Sequence, residues 1–368
     1  MTPSLTTSAA GRTYDYNRVV GGREQMNGIV SMAFGAKDEI YITQKALFFF
    51  DVSKLKIGPE PNDEEMIISF REKDPDFFEG TWPACLTVGP DHDIYVTDEL
   101  RHVIYVFDQD GVLKRKVGSL GTGAGEFDRP SGIISTTNDS IYVCDTMNHR
   151  IQHVTTMGKS INEFGSHGSA EGQFQSPWGL DIDSDGNVFI ADHKNHRIQK
   201  FDAEGNFIFT FGTYGSGMGE LDHPTDVAVD PDGDIYVSDW ANNRVQVFDS
   251  LGEYLLQIKG SAIELSKWQK RYVESNPDVV KARRRVESLE PEMKFALPTG
   301  VNYDKSRDRL FVVDSQRWRI QIFNKLKDYA EAQFNICSSN HTGTREIPIS
   351  KNLEKPANRN YPSMITVN

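Results

Sequence analysis

Cysteine is scarce in this sequence, and long apolar segments are missing from it. Its three cysteines, Cys85, Cys144 and Cys337, include no Cys-x-x-Cys pair. So sparse a set is typical of a reducing compartment, and we expect a cytoplasmic protein. No apolar run approaches the ~20 residues of a transmembrane helix, and the first residues lack the pattern of a secretory signal. The sequence therefore predicts no contact with a membrane.

Positive charge is also in short supply. The chain has 40 Lys and Arg against 53 Asp and Glu, which gives a formal net charge of −13. That balance disfavours nonspecific binding to nucleic acid, so we expect no nucleic-acid partner. The P-loop, G-x-S-x-G and H-E-x-x-H motifs are absent as well. The sequence therefore contains none of these catalytic motifs, and no activity can be inferred from them.

What the sequence does contain is a repeat. Four prolines follow one another at intervals of 47 residues, and four aspartates keep the same interval. The prolines are Pro83, Pro130, Pro177 and Pro224, and the aspartates are Asp98, Asp145, Asp192 and Asp239. Within each unit, short alternating segments are separated by Asp, Gly and Asn, which is typical of strands joined by hairpin turns. A fixed period of this length predicts a repeat fold.

Each unit predicts four strands, A to D, with strand A after the proline and strand B ending at the aspartate. Four-stranded units of this length are typical of propeller blades. A degenerate unit precedes them at 28–51, and another follows at Pro298. The predicted fold is therefore all-β: a six-bladed β-propeller of four-stranded antiparallel blades.

The ring of blades has to close, because an open ring leaves two sticky strand edges. We predict that residues 14–21 supply strand D of blade 6, although residues 331–337 are a competing candidate. The predicted organisation is an N-terminal tail at 1–13, the propeller at 14–337 and an extended C-terminal tail at 338–368.

An insertion at 261–295 separates blade 5 from blade 6. Apolar residues at helical spacing, such as Leu265, Trp268 and Tyr272, predict two helices, with a break at Asn276-Pro277. The insertion holds eight basic and six acidic residues. It is therefore either a lid or docking element for an anionic ligand or partner, or an ordinary solvated helical face. We expect it beside or over the mouth of the central channel, on the face that carries the B-to-C turns, named here the upper face.

The repeat resembles the NHL-repeat family. The resemblance rests on the motif Asp-x-x-Asn-x-Arg and a close variant, at 145–150, 192–197, 239–244 and 314–319. Parts of the chain, such as 224–229, are similar to the peptidyl-α-hydroxyglycine α-amidating lyases within that family. The resemblance to those lyases implies a zinc ion held by three histidines, each directly after a strand-A proline. This chain has no histidine at those positions, which are Ala84, Ser131, Trp178, Thr225 and Thr299. The same zinc site is therefore not expected.

Residues that recur in every blade are expected to be structural, so the candidate site lies where the blades differ. Eight such residues are predicted at or near the upper mouth. The candidate catalytic residues are His193, Glu99, Asp226 and Arg101, and the candidate ligand-binding residues are Trp178, Trp240, Thr225 and Arg317. Aromatic walls with a few polar groups are typical of a ligand site, and the alternative is a water-filled polar funnel. His102, His149 and His196 share one register of the repeat and are expected to point along the blades without converging.

Two functions remain open from the sequence. The first is recognition of a small molecule or a protein at the upper mouth. The second is a lyase or hydrolase with its active site in the same funnel, with His193 as an acid, base or ligand. A divalent metal is possible in that second case, with ligands that the sequence does not identify.

Overall fold

The computed structural model describes residues 6–23, 25–47 and 49–327. Within them the strands form six antiparallel sheets, and the predicted six-bladed propeller is confirmed. The predicted strand at 331–337 and the tail at 338–368 lie outside the described residues and stay predictions.

Blades 1 to 5 each contain four strands, and these run in chain order across the sheet. Blade 1 has β3 (Ile29–Phe34), β4 (Glu39–Ala46), β5 (Phe49–Ile57) and β6 (Glu64–Ser69). Blade 2 has β7 (Pro83–Val88), β8 (Ile94–Asp98), β9 (Val103–Phe107) and β10 (Leu113–Val117). Blade 3 has β11 (Pro130–Ser135), β12 (Ser140–Asp145), β13 (Arg150–Thr155) and β14 (Ser160–Phe164). Blade 4 has β15 (Pro177–Ile182), β16 (Val188–Asp192), β17 (Arg197–Phe201) and β18 (Phe207–Phe211). Blade 5 has β19 (Pro224–Val229), β20 (Ile235–Asp239), β21 (Arg244–Phe248) and β22 (Tyr254–Ile258).

Blade 6 closes the ring with strands from both ends of the propeller. It contains β23 (Pro298–Asp304), β24 (Arg309–Asp314) and β25 (Arg319–Lys325), and its next strand is β2 (Arg12–Gly21). β2 pairs antiparallel with β25, from Tyr14 opposite Lys325 to Gly21 opposite Arg319. The prediction that the N-terminal segment supplies the fourth strand of blade 6 is confirmed.

The predicted N-terminal tail at 1–13 is wrong for the residues that the structure describes. β1 (Thr6–Ala9) pairs with β2 and adds a fifth strand to blade 6. The two strands are joined by Ala10 and Gly11, whose φ angles of 52° and 75° are the left-handed values of a tight hairpin turn. Arg12 then binds the buried Asp234 of blade 5, with Nε 2.6 Å from Oδ2. The sequence did not predict this hairpin, because β1 is short and lacks an apolar alternation.

The hydrophobic core lies between neighbouring blades. One cluster joins Phe189 and Ile198 of blade 4 to Val227, Ile235 and Val237 of blade 5, all of them buried. Burying an aliphatic or aromatic side chain of this kind stabilises the fold by roughly 1.5–3 kcal/mol. Similar clusters recur around the ring, so each blade is held by the blades beside it.

The repeated aspartate at the end of strand B organises the upper turns. Asp192 is fully buried and accepts hydrogen bonds from the backbone of Gln175 and from the side chains of Asn195, Arg197 and Gln199. These bonds tie the strand B-to-C turn to the linker that enters the blade. The expected structural role of the motif is confirmed.

The insertion contains α3 (Lys267–Ser275), α4 (Pro277–Arg285) and the short α5 (Glu290–Met293). Asn276 ends α3 and caps α4, so the predicted break is confirmed. Trp268 is buried in the core between blades 6 and 1, and Lys267 donates to Glu64 of β6. These contacts attach the insertion to the outer strands of blades 6 and 1, beside the ring.

Two further short helices, α1 (Phe70–Lys73) and α2 (Pro75–Phe78), connect blade 1 to blade 2. Among the residues that the structure describes, no helix is both long and apolar enough to span a membrane.

Candidate functional site

Four ring side chains meet on the upper face where blades 4 and 5 adjoin. The ring centroid of His193 lies 4.8 Å from that of Trp178, 4.9 Å from that of His223 and 6.4 Å from that of Trp240. The centroids of His223 and Trp240 are 6.3 Å apart. We name Trp178, His193, His223 and Trp240 the imidazole–indole cluster. His193 is buried, while the other three rings are partly accessible.

Local structure fixes the position of each ring. Trp178 is the second residue of β15, and His223 directly precedes β19. His193 and Trp240 each follow the buried aspartate that ends strand B in their blade. The strand ends hold all four at the upper mouth, because every blade begins strand A and ends strand B on that face.

A hydrogen bond fixes the tautomer of His193. Its Nδ1 lies 3.1 Å from the carbonyl oxygen of Pro224, and because a carbonyl oxygen only accepts, Nδ1 carries the proton. Burial lowers the pKa of His193 to about 4, so its ring is neutral at neutral pH. Nε2 is then left as an unprotonated acceptor.

His223 has a similar arrangement. Its Nδ1 lies 2.6 Å from Oδ1 of Asp222, and in the tautomer that donates from Nδ1 to this carboxylate, Nε2 is an acceptor. Two neighbouring imidazoles thus have their Nδ1 atoms held by oxygen. This geometry suits hydrogen-bond acceptance, proton transfer or metal coordination at Nε2.

Asp222, His223 and His196 form a second arrangement with metal-ligating groups. One donor atom from each of the three residues lies within 4.8 Å of the others. Two histidines and a carboxylate are donors that suit zinc and related transition metals. The ring of His196 lies 4.5 Å from that of the linker residue His223, between centroids, and not against His102 or His149 of the same register.

His196 also has a structural role that it shares with other blades. Its Nδ1 accepts the backbone N–H of His223 at 3.1 Å. In the same register, His149 accepts from Ser176 at 3.1 Å and His102 from Arg129 at 3.0 Å. An ion bound at Nδ1 of His196 would replace this hydrogen bond. The donor set of the three residues fits a metal, and coordination through Nδ1 of His196 would compete with that hydrogen bond.

The structure does not bring the other predicted residues to this cluster. Glu99 pairs with Lys45 at 2.9 Å, and Nε of Arg101 donates to the carbonyl oxygen of Gly80 at 2.7 Å. Thr225 is buried and donates to the carbonyl oxygen of Pro298 at 3.2 Å, and Arg317 donates to that of Pro291 at 2.6 Å. Only Trp178, His193 and Trp240 of the eight predicted residues come together, and their roles stay predictions.

Asp226 lies lower, in the central channel. Its carboxyl group accepts from the backbone of Val227 and of Val301, each at 3.0 Å, and so links blade 5 to blade 6. Asp226 and Asp181 line a cavity of about 260 Å³ formed by the six inner strands. Burial raises the pKa of Asp226 to about 8 and that of Asp181 to about 6. Asp226 is thus a channel residue and not part of the upper cluster.

The sequence analysis missed Asp222 and His223. Both lie in the linker before Pro224, where blade 4 has Gln175 and Ser176 instead. The candidate residues follow the strand-A prolines and the strand-B aspartates, whereas Asp222 and His223 precede a proline. A comparison of the positions before each proline would have identified the pair.

Comparisons with known families agree with the fold. A model described as a 6-bladed beta-propeller matches residues 89–158, and the NHL repeat model matches residues 174–201 and 221–248. No curated protein sequence matches the chain significantly.

Solved structures with the same fold share little sequence with this chain. A catalytically inactive variant of virginiamycin B lyase from Staphylococcus aureus with quinupristin has a TM-score of 0.52 at 14% identity, over 84% of this chain and 99% of that one. A protein of unknown function from Bacteroides thetaiotaomicron has a TM-score of 0.55 at 16% identity, over 88% and 75%. A streptogramin B lyase has a TM-score of 0.52 at 14% identity, over 87% and 100%. At such identities the likeness shows the fold alone, and the chain is a six-bladed β-propeller that carries NHL repeats.

Proposed function

We propose that this chain is a recognition module that binds a small molecule, or a side chain of a protein partner, at the imidazole–indole cluster. The observation that carries the proposal is the contact of His193 with Trp178 and His223, at 4.8 and 4.9 Å between ring centroids. Two indoles and two imidazoles at one mouth give an aromatic wall with nitrogen acceptors. Such a mixture is typical of binding sites.

The chemistry of the cluster specifies a class of ligand. The rings of Trp178 and Trp240 favour a flat or apolar body, because aromatic rings pack through faces and edges. The unprotonated Nε2 of His193 favours an N–H or O–H donor on that body. A phenol or an indole has both features, whether free or as a tyrosine or tryptophan side chain.

The test uses N-acetyltyrosinamide and N-acetyltryptophanamide as probes in saturation-transfer NMR. We expect a signal with the wild-type protein that is lost in Trp178→Ala and in Trp240→Ala. Trp82→Ala is the matched control, because Trp82 is an indole of blade 2 that contacts Lys45 instead. An equal signal in all four proteins, or none in the wild type, would refute the proposal.

A second candidate is a metal-dependent lyase or hydrolase at the same mouth. It is favoured by the donor set of His196, Asp222 and His223, whose member His223 packs against the ring of His193. Three protein ligands and an open position are typical of catalytic zinc sites. The lyases among the similar structures share the fold only, so this candidate rests on the donor set.

Elemental analysis and a Co²⁺ titration test the second candidate. We expect one bound Co²⁺ per wild-type chain, detected by visible absorption, and none in His223→Ala. His149→Ala removes the equivalent histidine of blade 3, whose following linker has Gln175 and Ser176 in place of Asp222 and His223, and should bind Co²⁺ like the wild type. Absence of Co²⁺ binding by the wild type would exclude a metal-dependent reaction here.

A further inference from the structure

A second cavity lies between the helical insertion and blade 6. Its volume is about 240 Å³, and its walls come from α3, from α4 and from the upper turn of blade 6. Four guanidinium groups line it, those of Arg23, Arg283, Arg317 and Arg319, with Glu292 as the carboxylate among the lining residues. We name it the insertion pocket.

Two of the four arginines are already neutralised. Arg319 pairs with the buried Asp314 at 2.7 Å, and Arg283 pairs closely with Glu292. Arg23 and Arg317 form no ion pair with any carboxylate in the described part of the chain. Counting the described residues only, the pocket thus carries two positive charges without a carboxylate partner, in a protein whose formal net charge is −13.

The two uncompensated arginines are positioned in different ways. The guanidinium of Arg23 lies 4.5 Å above the ring centroid of Trp318 and 6.0 Å from that of Tyr272. Cation–π contacts of this kind orient a guanidinium and leave its N–H groups available at the edges. Arg317 is held by its bond to the carbonyl oxygen of Pro291 at 2.6 Å.

Arg317 also has an unused donor. Its Nε is buried and has no hydrogen-bond partner among the described residues. A buried donor without a partner costs about 1–3 kcal/mol, and a ligand in the pocket can accept this hydrogen bond only after the Arg317 side chain turns toward it. The two guanidinium groups that line one cavity without a carboxylate partner among the described residues point to an anionic acceptor.

We propose that the insertion pocket binds a phosphate monoester group through Arg23 and Arg317. A phosphate has nearly two negative charges at neutral pH and three acceptor oxygens, which match two guanidinium groups. The cavity is below the ~300–1,000 Å³ of most small-molecule pockets, so it accommodates a phosphate group and a short attachment. The group belongs either to a free metabolite or to a phosphorylated side chain of a partner.

This site is separate from the imidazole–indole cluster, so its test and that of the proposed function can fail independently. Inorganic phosphate is titrated by calorimetry into the wild type, Arg23→Gln, Arg317→Gln and Arg101→Gln. Arg101 occupies the register of Arg317 in blade 2 and donates to a backbone carbonyl there, so it is the matched control. We expect binding to the wild type and to Arg101→Gln, and about tenfold weaker binding to the other two.

Equal affinity in all four proteins, or no binding to the wild type, would overturn the proposal. Arg23→Gln keeps the test valid if Arg317→Gln disturbs the insertion, because Arg23 is exposed and forms only ring contacts among the described residues.

A phosphoserine pentapeptide and its unphosphorylated form distinguish the two sources of the phosphate. Tighter binding of the phosphopeptide than of inorganic phosphate indicates a protein partner, and equal binding indicates a metabolite. Equal binding of both peptides would contradict recognition of phosphate.

Discussion

Nδ1 of His193 donates to the carbonyl oxygen of Pro224 across 3.1 Å, and so joins the upper turn of blade 4 to the first residue of blade 5. Thr146 occupies the same register in blade 3 and donates from Oγ1 to the carbonyl oxygen of Pro177 at 2.9 Å. The same hydrogen bond between blades is thus made by a histidine in one blade and by a threonine in another. Only the histidine also has a second ring nitrogen, Nε2, that the bond does not use.

This equivalence separates the structural role of His193 from its role in binding. We expect His193→Thr to lower the free energy of unfolding by less than about 1 kcal/mol, because a threonine already makes this link in blade 3. His193→Ala loses the hydrogen bond and leaves a small cavity, and should cost about 1–3 kcal/mol. Urea unfolding at neutral pH measures both values. A threonine variant as unstable as the alanine variant would show that the imidazole itself is needed for stability.

A buried ion cluster links strand β25 of blade 6 to blade 5. Lys325 of β25 is almost fully buried and binds Asp230 and Asp234 of blade 5, which are also buried. Lys325→Met should lower the free energy of unfolding by about 3 kcal/mol, because it leaves a buried carboxylate without its cation.

Lys327→Met is the control for Lys325→Met. Lys327 pairs with Asp308 at 2.8 Å but is half exposed, so we expect a change below about 1 kcal/mol. Chemical denaturation measures both variants. Similar losses in the two would show that burial does not determine the contribution of the ion cluster.

The channel carboxyl groups make stability depend on pH. Burial raises the pKa of Asp226 to about 8 and that of Asp181 to about 6, so the folded protein keeps protons that the unfolded chain has released. The free energy of unfolding should therefore fall as pH rises from about 4 toward each of these pKa values. Replacement by asparagine removes the titrating group and its contribution to that slope.

Urea unfolding from about pH 5 to about pH 9 tests this dependence. The stability of Asp226→Asn relative to the wild type should increase with pH up to about 8, and that of Asp181→Asn only up to about 6. Parallel pH profiles in the wild type and a variant would contradict a raised pKa at that position.

The repeat allows the metal candidate to be tested by gain of function. Blade 3 already has His149 in the register of His196, followed by Gln175 and Ser176 where the next linker has Asp222 and His223. If the three residues suffice, the double variant Gln175→Asp, Ser176→His should bind one additional Co²⁺ per chain. Visible absorption counts the ions, and an unchanged stoichiometry would show that the natural set needs further groups.

The fold was predictable because several independent sequence signals indicate the same four-stranded unit. Prolines and aspartates at 47-residue intervals, turn residues and strand alternation all specify one blade, and residues 14–21 match a missing strand D. The hairpin of β1 was missed because four residues with a polar pattern carry little signal. The predicted break at Asn276-Pro277 was found because proline and a capping asparagine act locally.

The candidate site was less predictable because it depends on the distance between blades. Trp178, His193 and Trp240 follow equivalent anchors in neighbouring blades, and their meeting followed from the repeat. Glu99 and Arg101 follow the same kind of anchor, but Glu99 binds Lys45 of blade 1 and Arg101 binds the carbonyl oxygen of Gly80. No rule of spacing predicts whether a long charged side chain turns to the axis or to a nearby partner.

The pairing of β2 with β25 has a consequence for how the molecule is made. The hydrogen bond between Asn17 and Asn324 spans 307 positions of the chain. During synthesis the first long strand leaves the ribosome well before its partner, and it stays an unpaired edge while the intervening blades fold. Ring closure is therefore a late step of high sequence separation, and such steps slow folding and expose edges to other chains. The strand pair that closes the folded ring is therefore also the pair that leaves the edge of β2 unpaired until β25 has been synthesised.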